Sequence, residues 1–186
     1  LDEKCDLEGL VLPDQLKQDI AEKLIKDERI LFKINFPLVK NGKKEDTYIE
    51  AAFCRPSSDS QGNYLQGVEV YYRNGMSMMA QDRYLKSSNF HASLFCKDPA
   101  ISTYLNIWED EGHSRWTEGN NEKKNALEKG YDHEFYLRPV KLCKKALRLL
   151  HLKFVDEVNE IDDTSLSQYF LFPKDTKSTP DTTKVT

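Results

Sequence analysis

No stretch of this 186-residue chain stays apolar long enough to span a bilayer. No charged-then-apolar leader opens it. Phosphate-cradling loops are missing too. Neither GxxxxGK followed by Ser or Thr nor GxGxxG occurs, so no main nucleotide pocket of those kinds is expected here. Cysteine is sparse: Cys5, Cys54, Cys96 and Cys143 lie far apart. No pair has CxxC spacing, which argues against a zinc ribbon or a dithiol redox site. Three of them sit in apolar segments, where cysteine acts as a small buried hydrophobe. A reduced, cytoplasmic setting is the simple expectation. A strong charge of one sign is also lacking. The net charge of −4 and pI near 5.6 speak against a dedicated nucleic-acid surface. No internal repeat is found. The sequence opens on Leu1, not methionine, so the chain is expected to be processed or, the favoured reading, cut from a longer protein whose missing part can hold the active site.

What is present suffices for one domain with a real core, since 39% of residues are hydrophobic and 31% charged. The densest signal runs from Gly67 to Trp116. Val68, Val70 and Tyr72 alternate with Glu69, Tyr71 and Arg73, so side chains of two characters face opposite sides of a sheet. Asn74-Gly75 follows, and both residues tolerate the positive φ of a type I′ turn. Met76, Met78 and Met79 begin the return strand, and Phe90 to Cys96 forms another. Asp98-Pro99 reads as an N-cap followed by proline at the first helical position. Ile101, Tyr104, Leu105 and Trp108 fall on one stripe of a short helix. Glu109, Asp110, Glu111 and Gly112 end it. Carboxylates at a helix C-terminus oppose its dipole, which predicts compensation by Arg115, a nearby lysine or a partner.

Upstream, Pro13 opens a helix with Leu16, Ile20, Leu24 and Ile25 on one face, ending near Glu28. Ile30, Phe32, Ile34 and Phe36 alternate with Leu31, Lys33 and Asn35 in a strand that Pro37 ends or marks as an edge. Lys40 to Lys44 reads as a charged turn and Thr47 to Arg55 as a second strand. The two strands pair across a loop of roughly ten residues. Ser57 to Asn63 is a loop of turn formers. Downstream, Thr117 to Lys129 reads as a linker or solvated helix. Pro139 to Val158 is the longest helical pattern, with Val140, Cys143, Leu147, Leu150 and Phe154 at near-heptad spacing and Lys141, Lys144, Lys145 and Arg148 on other faces. Leu166 to Phe172 is a short apolar end, and the chain from Pro173 has too little apolar content to order. The expected fold class is α+β, a mostly antiparallel sheet of about five strands covered by helices. It would occupy 1–130, with a C-terminal helical extension over 131–172 and a disordered tail over 173–186.

WEDEGHSRW, Trp108 to Trp116, carries the most chemistry. Glu109, Asp110, Glu111 and His113 have the donor types of a hard-metal site or an acid–base pair. Metal sites need ligands converging from separate elements. The plainer reading is a helix end and a solvated turn, with the tryptophans packing. A metal-dependent hydrolase or nuclease using Glu109, Glu111 and His113 is the alternative. A nuclease-type hairpin would draw on Asp46, Glu50, Lys43 and Lys44, whose spacing matches no sharp pattern. His91 sits among apolar neighbours as a structural histidine. His133 and His151 are isolated, and no Ser or Cys has a paired base. The basic stripe of the 139–158 helix is either a solvated face or the contact of an interaction module with an acidic partner or nucleic acid.

Tyr71, Tyr72, Arg73, Asn74, Gly75 and Met76, then a strand, then Pro99, Leu105, Glu109, His113, Ser114 and Trp116 make a spaced pattern over about fifty residues. It resembles the C-terminal part of large bacterial proteins with a GHKL-type ATPase domain (the gyrase, chaperone, histidine-kinase and mismatch-repair ATPases). The resemblance implies a transducer-like domain: a sheet with covering helices and a right-handed crossover. Such domains sense the γ-phosphate, usually through a lysine, and convert nucleotide state into movement. It also implies ATP and Mg in an upstream domain. The Asn and Asp-x-Gly motifs of that domain are absent here, so this segment is expected to hold no cofactor and not to be catalytic alone. The implied interface or signalling residues are Arg73, Asn74, Gly75, Glu109, His113, Arg115 and Trp116. No position matches the sensor lysine, and Arg83 and Lys86 are the nearest basic residues after the hairpin. The implied partner is the protein's own upstream ATPase domain or another protein, with a homodimer also open. No membrane contact is expected, and nucleic acid is disfavoured.

Overall fold

Two Asn-Gly reversals set the sheet. In the computed structural model, which describes residues 7–55, 66–79, 84–133, 135–156 and 158, Asn41 and Gly42 have φ of 51° and 71°. Asn74 and Gly75 have φ of 47° and 78°. Two successive positive φ angles make the type I′ turn whose twist matches paired strands. The first turn joins β1 (Ile30–Lys40) to β2 (Lys43–Cys54), and the second joins β3 (Glu69–Arg73) to β4 (Met76–Met79). The first hairpin corrects the expected loop of roughly ten residues. Its strands pair in unbroken register from Ile30↔Phe53 to Lys40↔Lys43. Pro37 lies within β1, which an edge strand tolerates because one side of its backbone has no ladder partner to supply.

β5 (His91–Cys96) inserts between the hairpins, antiparallel to β2 and parallel to β3, giving the order β1-β2-β5-β3-β4. The fold is α+β: among the described residues a five-stranded, mostly antiparallel sheet stands with four α-helices. These are α1 (Asp14–Ile25), α2 (Pro99–Leu105), α3 (Asn120–Glu128) and α4 (Arg138–His151). A 3-10 turn spans Tyr84–Ser87. Among the described residues no helix is long and apolar enough to cross a membrane.

The helices share one core with one face of the sheet. Ile34, Ile49, Phe53, Leu94 and Tyr71 point into it, along with Ile20, Ala21 and Leu24 of α1. Asp98 caps α2 as its sequence predicts, accepting from the N–H groups of Ala100 and Ile101. Its Oδ1 also accepts from the Thr47 hydroxyl at 2.6 Å, which ties the cap to β2. Ile101, Tyr104, Leu105 and Trp108 are all fully buried.

Val140, Cys143, Leu147 and Leu150 of α4 are buried in the same core, where each aliphatic side chain contributes about 1.5–3 kcal/mol. The expected helix over 139–158 is interrupted. After His151 the bonds tighten: Lys153 N–H donates to Leu150 and Phe154 N–H to His151, and a turn forms. This turn seats Phe154 edge-on to Phe53 (centroids 5.2 Å apart) and stacked over Phe32. α3 occupies the stretch read as a linker or solvated helix. After it, Gly130 (φ 84°) turns the chain back onto the first hairpin, and its carbonyl accepts from Asn41 N–H at 2.7 Å. Cys5, the loop Ser57 to Asn63, Arg83, the apolar end Leu166 to Phe172 and the tail 173–186 lie outside the described residues.

Candidate functional site

β3 turns Glu69, Tyr71 and Arg73 inward, while Val70 and Tyr72 lie on the opposite face. Two charges thus enter the core side of the sheet. Burial is tolerable for such groups only with partners. Glu69 accepts a hydrogen bond from the Leu85 backbone N–H in the 3-10 turn. Arg73 donates through Nε and Nη2 to the two carboxylate oxygens of Glu109, a fork-on-fork pair. The side chains are 3% and 1% exposed, so the pair is shielded from solvent and salt.

α2 ends at Leu105, earlier than the acidic run expected to close it, and Glu109 stands beyond an intervening turn, at the start of a short loop. An isolated antiparallel bridge between Glu109 and Trp116 closes that loop. Asp110 fastens it from within, accepting from both the backbone N–H and the hydroxyl of Ser114 at 2.7 Å. These Ser114 bonds hold the Asp110 carboxyl below the ordinary carboxylate range. Arg115 lies 3.4 Å from Asp110. His113 adopts a left-handed backbone, φ 49°, and its Nδ1 lies 2.8 Å from Glu109 Oε2. An ionised carboxylate only accepts, so the ring donates to Glu109 through Nδ1. The His113 side chain is half exposed. A continuous chain, Arg73–Glu109–His113, therefore runs from a buried strand end to the surface. Trp116 is buried against Tyr71 with ring centroids 5.2 Å apart, and Trp108 stacks over Tyr136.

The structure thus brings together Arg73, Glu109, His113, Arg115 and Trp116. Asn74 and Gly75 form the exposed tip of the adjoining turn. Lys86 is exposed on the 3-10 turn. The compensation expected for the acidic run is divided. Arg115 serves Asp110, but the cation that serves Glu109 comes from β3, 36 residues earlier. The sequence did not show that Glu69 and His151 are buried, since their surroundings depend on tertiary contacts.

Other candidates are placed as follows. As a metal ligand Glu109 would have to leave Arg73, and Glu111 is exposed on the turn. Among the described residues no three His, Cys, Asp or Glu side chains converge as a metal group. Asp46 is exposed, and Glu50 pairs with Lys97 at 3.0 Å. His91 Nδ1 accepts from Val68 N–H at 3.1 Å, a structural bond. Cys96 and Cys143 are buried thiols. Cys54 is half-buried, and burial pushes its thiol up against the pull of Arg29. The α4 lysines meet acids of this chain: Lys144 and Lys141 at Glu118 (2.9 and 4.0 Å) and Lys145 at Glu8 (3.9 Å). Arg148 lies over the Tyr84 ring. His151 is buried among Tyr84, Phe90 and Phe154, and neither ring nitrogen has a hydrogen-bond partner among the described residues. Burial pulls it from 6.5 to about 4, with Asp156 opposing.

No family model, curated protein or solved structure matches this chain.

Proposed function

We propose that this chain is a transducer-like relay segment of a GHKL-type ATPase, not catalytic alone, which passes nucleotide state to a partner or effector domain. The observation that supports this best is the Arg73–Glu109–His113 chain. A relay needs an element with two discrete arrangements that both ends can bias. A buried bidentate pair is such an element: it is fully made or broken, because a half-made pair leaves a charge unsatisfied in the core. His113 and the Asn74-Gly75 tip offer the surface end. In this reading ATP and Mg sit in an upstream domain, and the partner is that domain, another protein or a second copy. The setting is cytoplasmic. The α4 helix is less suited as the partner contact, since its apolar face is filled by this chain's own core.

The test uses the longest natural protein that carries this segment. Trp116 fluorescence is followed on adding ATP and Mg. A nucleotide-dependent change that disappears in Glu109→Gln, with ATP binding intact, is expected. A protein that binds no ATP, or a Trp116 signal indifferent to nucleotide, would overturn the reading.

A further inference from the structure

The sheet face turned away from the helices has an order of its own. In register across five strands stand Lys33, Glu50, Phe95, Tyr72 and Ser77. Phe95 and Tyr72 stack with centroids 4.9 Å apart and planes 9° from parallel. Tyr72 remains 37% exposed. Lys97 Nζ lies 4.8 Å from the Phe95 centroid, on a side chain 62% exposed. Lys33 Nζ lies 4.0 Å from the Tyr48 centroid. Beside this row Ala52 faces Ser93 across β2 and β5, flanked by the exposed Leu31 on β1 and by Val70 on β3.

We propose that this face binds a short stretch of single-stranded nucleic acid, with bases stacking at Tyr72 and Tyr48 and phosphates meeting Lys33 and Lys97. Aromatic rings standing on an open sheet, with lysine ammonium groups over Phe95 and Tyr48, supply the two things such a ligand needs. The Tyr72–Phe95 stack is formed before any ligand arrives, so little ordering accompanies binding. Lys97 is held by Glu50, but a pair this exposed exchanges easily for a phosphate. A duplex keeps its base faces stacked inside and cannot use the rings. The core of a protein interface is depleted of charge, whereas lysines here sit over the rings themselves. Lys33, Lys44 and Lys97 share the face with Asp46 and Glu50, so its charge is nearly balanced. Stacking dominates, and the chain's net charge of −4, which disfavours an electrostatic surface, does not oppose it. This inference is independent of the relay reading.

Fluorescence anisotropy with the full chain tests it, using short oligo-U and oligo-dT probes and a duplex of equal length. Both single strands bind and the duplex does not. Three lysines limit the phosphate contacts, so log affinity falls against log salt no more steeply than about −2. Tyr72→Ser, checked by circular dichroism for an intact fold, weakens binding about tenfold. Lys33→Glu weakens it without touching a ring. Absence of single-strand binding, equal binding of duplex, or an unchanged affinity in Tyr72→Ser overturns the proposal. So does self-association, seen by sedimentation, that Tyr72→Ser abolishes, since the face would then belong to a second copy.

Discussion

Replacing Glu109 by glutamine keeps the side-chain volume and removes one charge from a pair that solvent barely reaches. The guanidinium of Arg73, 3% exposed, is then left buried without a counter-charge. Breaking a buried pair from one side costs about 3–5 kcal/mol, which is a large share of the 5–15 kcal/mol typical of a whole domain. Arg73→Met strands the Glu109 carboxylate in the same way, although His113 Nδ1 still reaches it. The double variant Arg73→Met/Glu109→Leu removes both charges and fills the space with apolar atoms. It is expected to return to within about 1 kcal/mol of the parent, because neither desolvation penalty remains. His113→Ala, at the half-exposed end, costs less than about 1 kcal/mol. Urea unfolding followed by tryptophan fluorescence gives all four values from midpoint shifts at constant slope. A Glu109→Gln variant within about 0.5 kcal/mol of the parent would refute the reasoning, because that is the ordinary surface response. The double variant also separates fold from function. It stays folded but has no contact left to make or break, so a relay through it is lost.

His151 is neutral in the folded protein, because burial lowers it to about 4, whereas the unfolded chain takes up a proton near 6.5. Its share of stability is therefore complete above pH 6.5 and is lost as the pH falls towards 4, by about 3 kcal/mol at 1.36 kcal/mol per pH unit. His151→Leu flattens this part of the urea-midpoint profile, and parallel profiles for parent and variant would contradict the assignment. Asp98→Ala removes the α2 cap together with the Thr47 bond, so a loss of about 2 kcal/mol is expected in the same assay, at the upper end of capping effects. Gly67→Ala drives a methyl into the backbone carbonyl oxygens of Leu85 and Phe90. Its cost is at least about 1–3 kcal/mol, read as a fall in thermal midpoint.

Local signals were legible where one short segment contains the whole cause. The Asn74-Gly75 turn and the Asp98-Pro99 cap each need only a few adjacent residues, and both stand as read. The Ile101–Trp108 set is buried as expected, but α2 ends at Leu105, so Trp108 reaches the core from the turn beyond the helix. The same Asn-Gly chemistry at Asn41-Gly42 was hidden by charge. Lys40, Lys43 and Lys44 made the flanks look like loop, but the outer ends of a long hairpin stay in solvent and need no apolar pattern. The 139–158 pattern runs past α4 because Phe154 continues the apolar spacing. Spacing does not register that the bonds after His151 shorten to a turn.

The inward face of β3 was illegible for a deeper reason. Val68, Val70 and Tyr72 look like the buried set by hydropathy, yet Glu69, Tyr71 and Arg73 occupy it. A charged residue can face a core only when its partner is already there, and these partners, Leu85 and Glu109, come from other elements. The surface side of the strand is then released to carry Tyr72 outward against Phe95. The two candidate sites are thus coupled by strand parity: shifting β3 by one residue would bury Tyr72, expose Arg73, and dissolve both the ion pair and the aromatic row. The buried pair is accordingly better understood as a register lock than as a source of stability. An apolar pair would hold the loop as firmly, but it would not forbid the slipped pairing, whereas Arg73 can find Glu109 in one register alone.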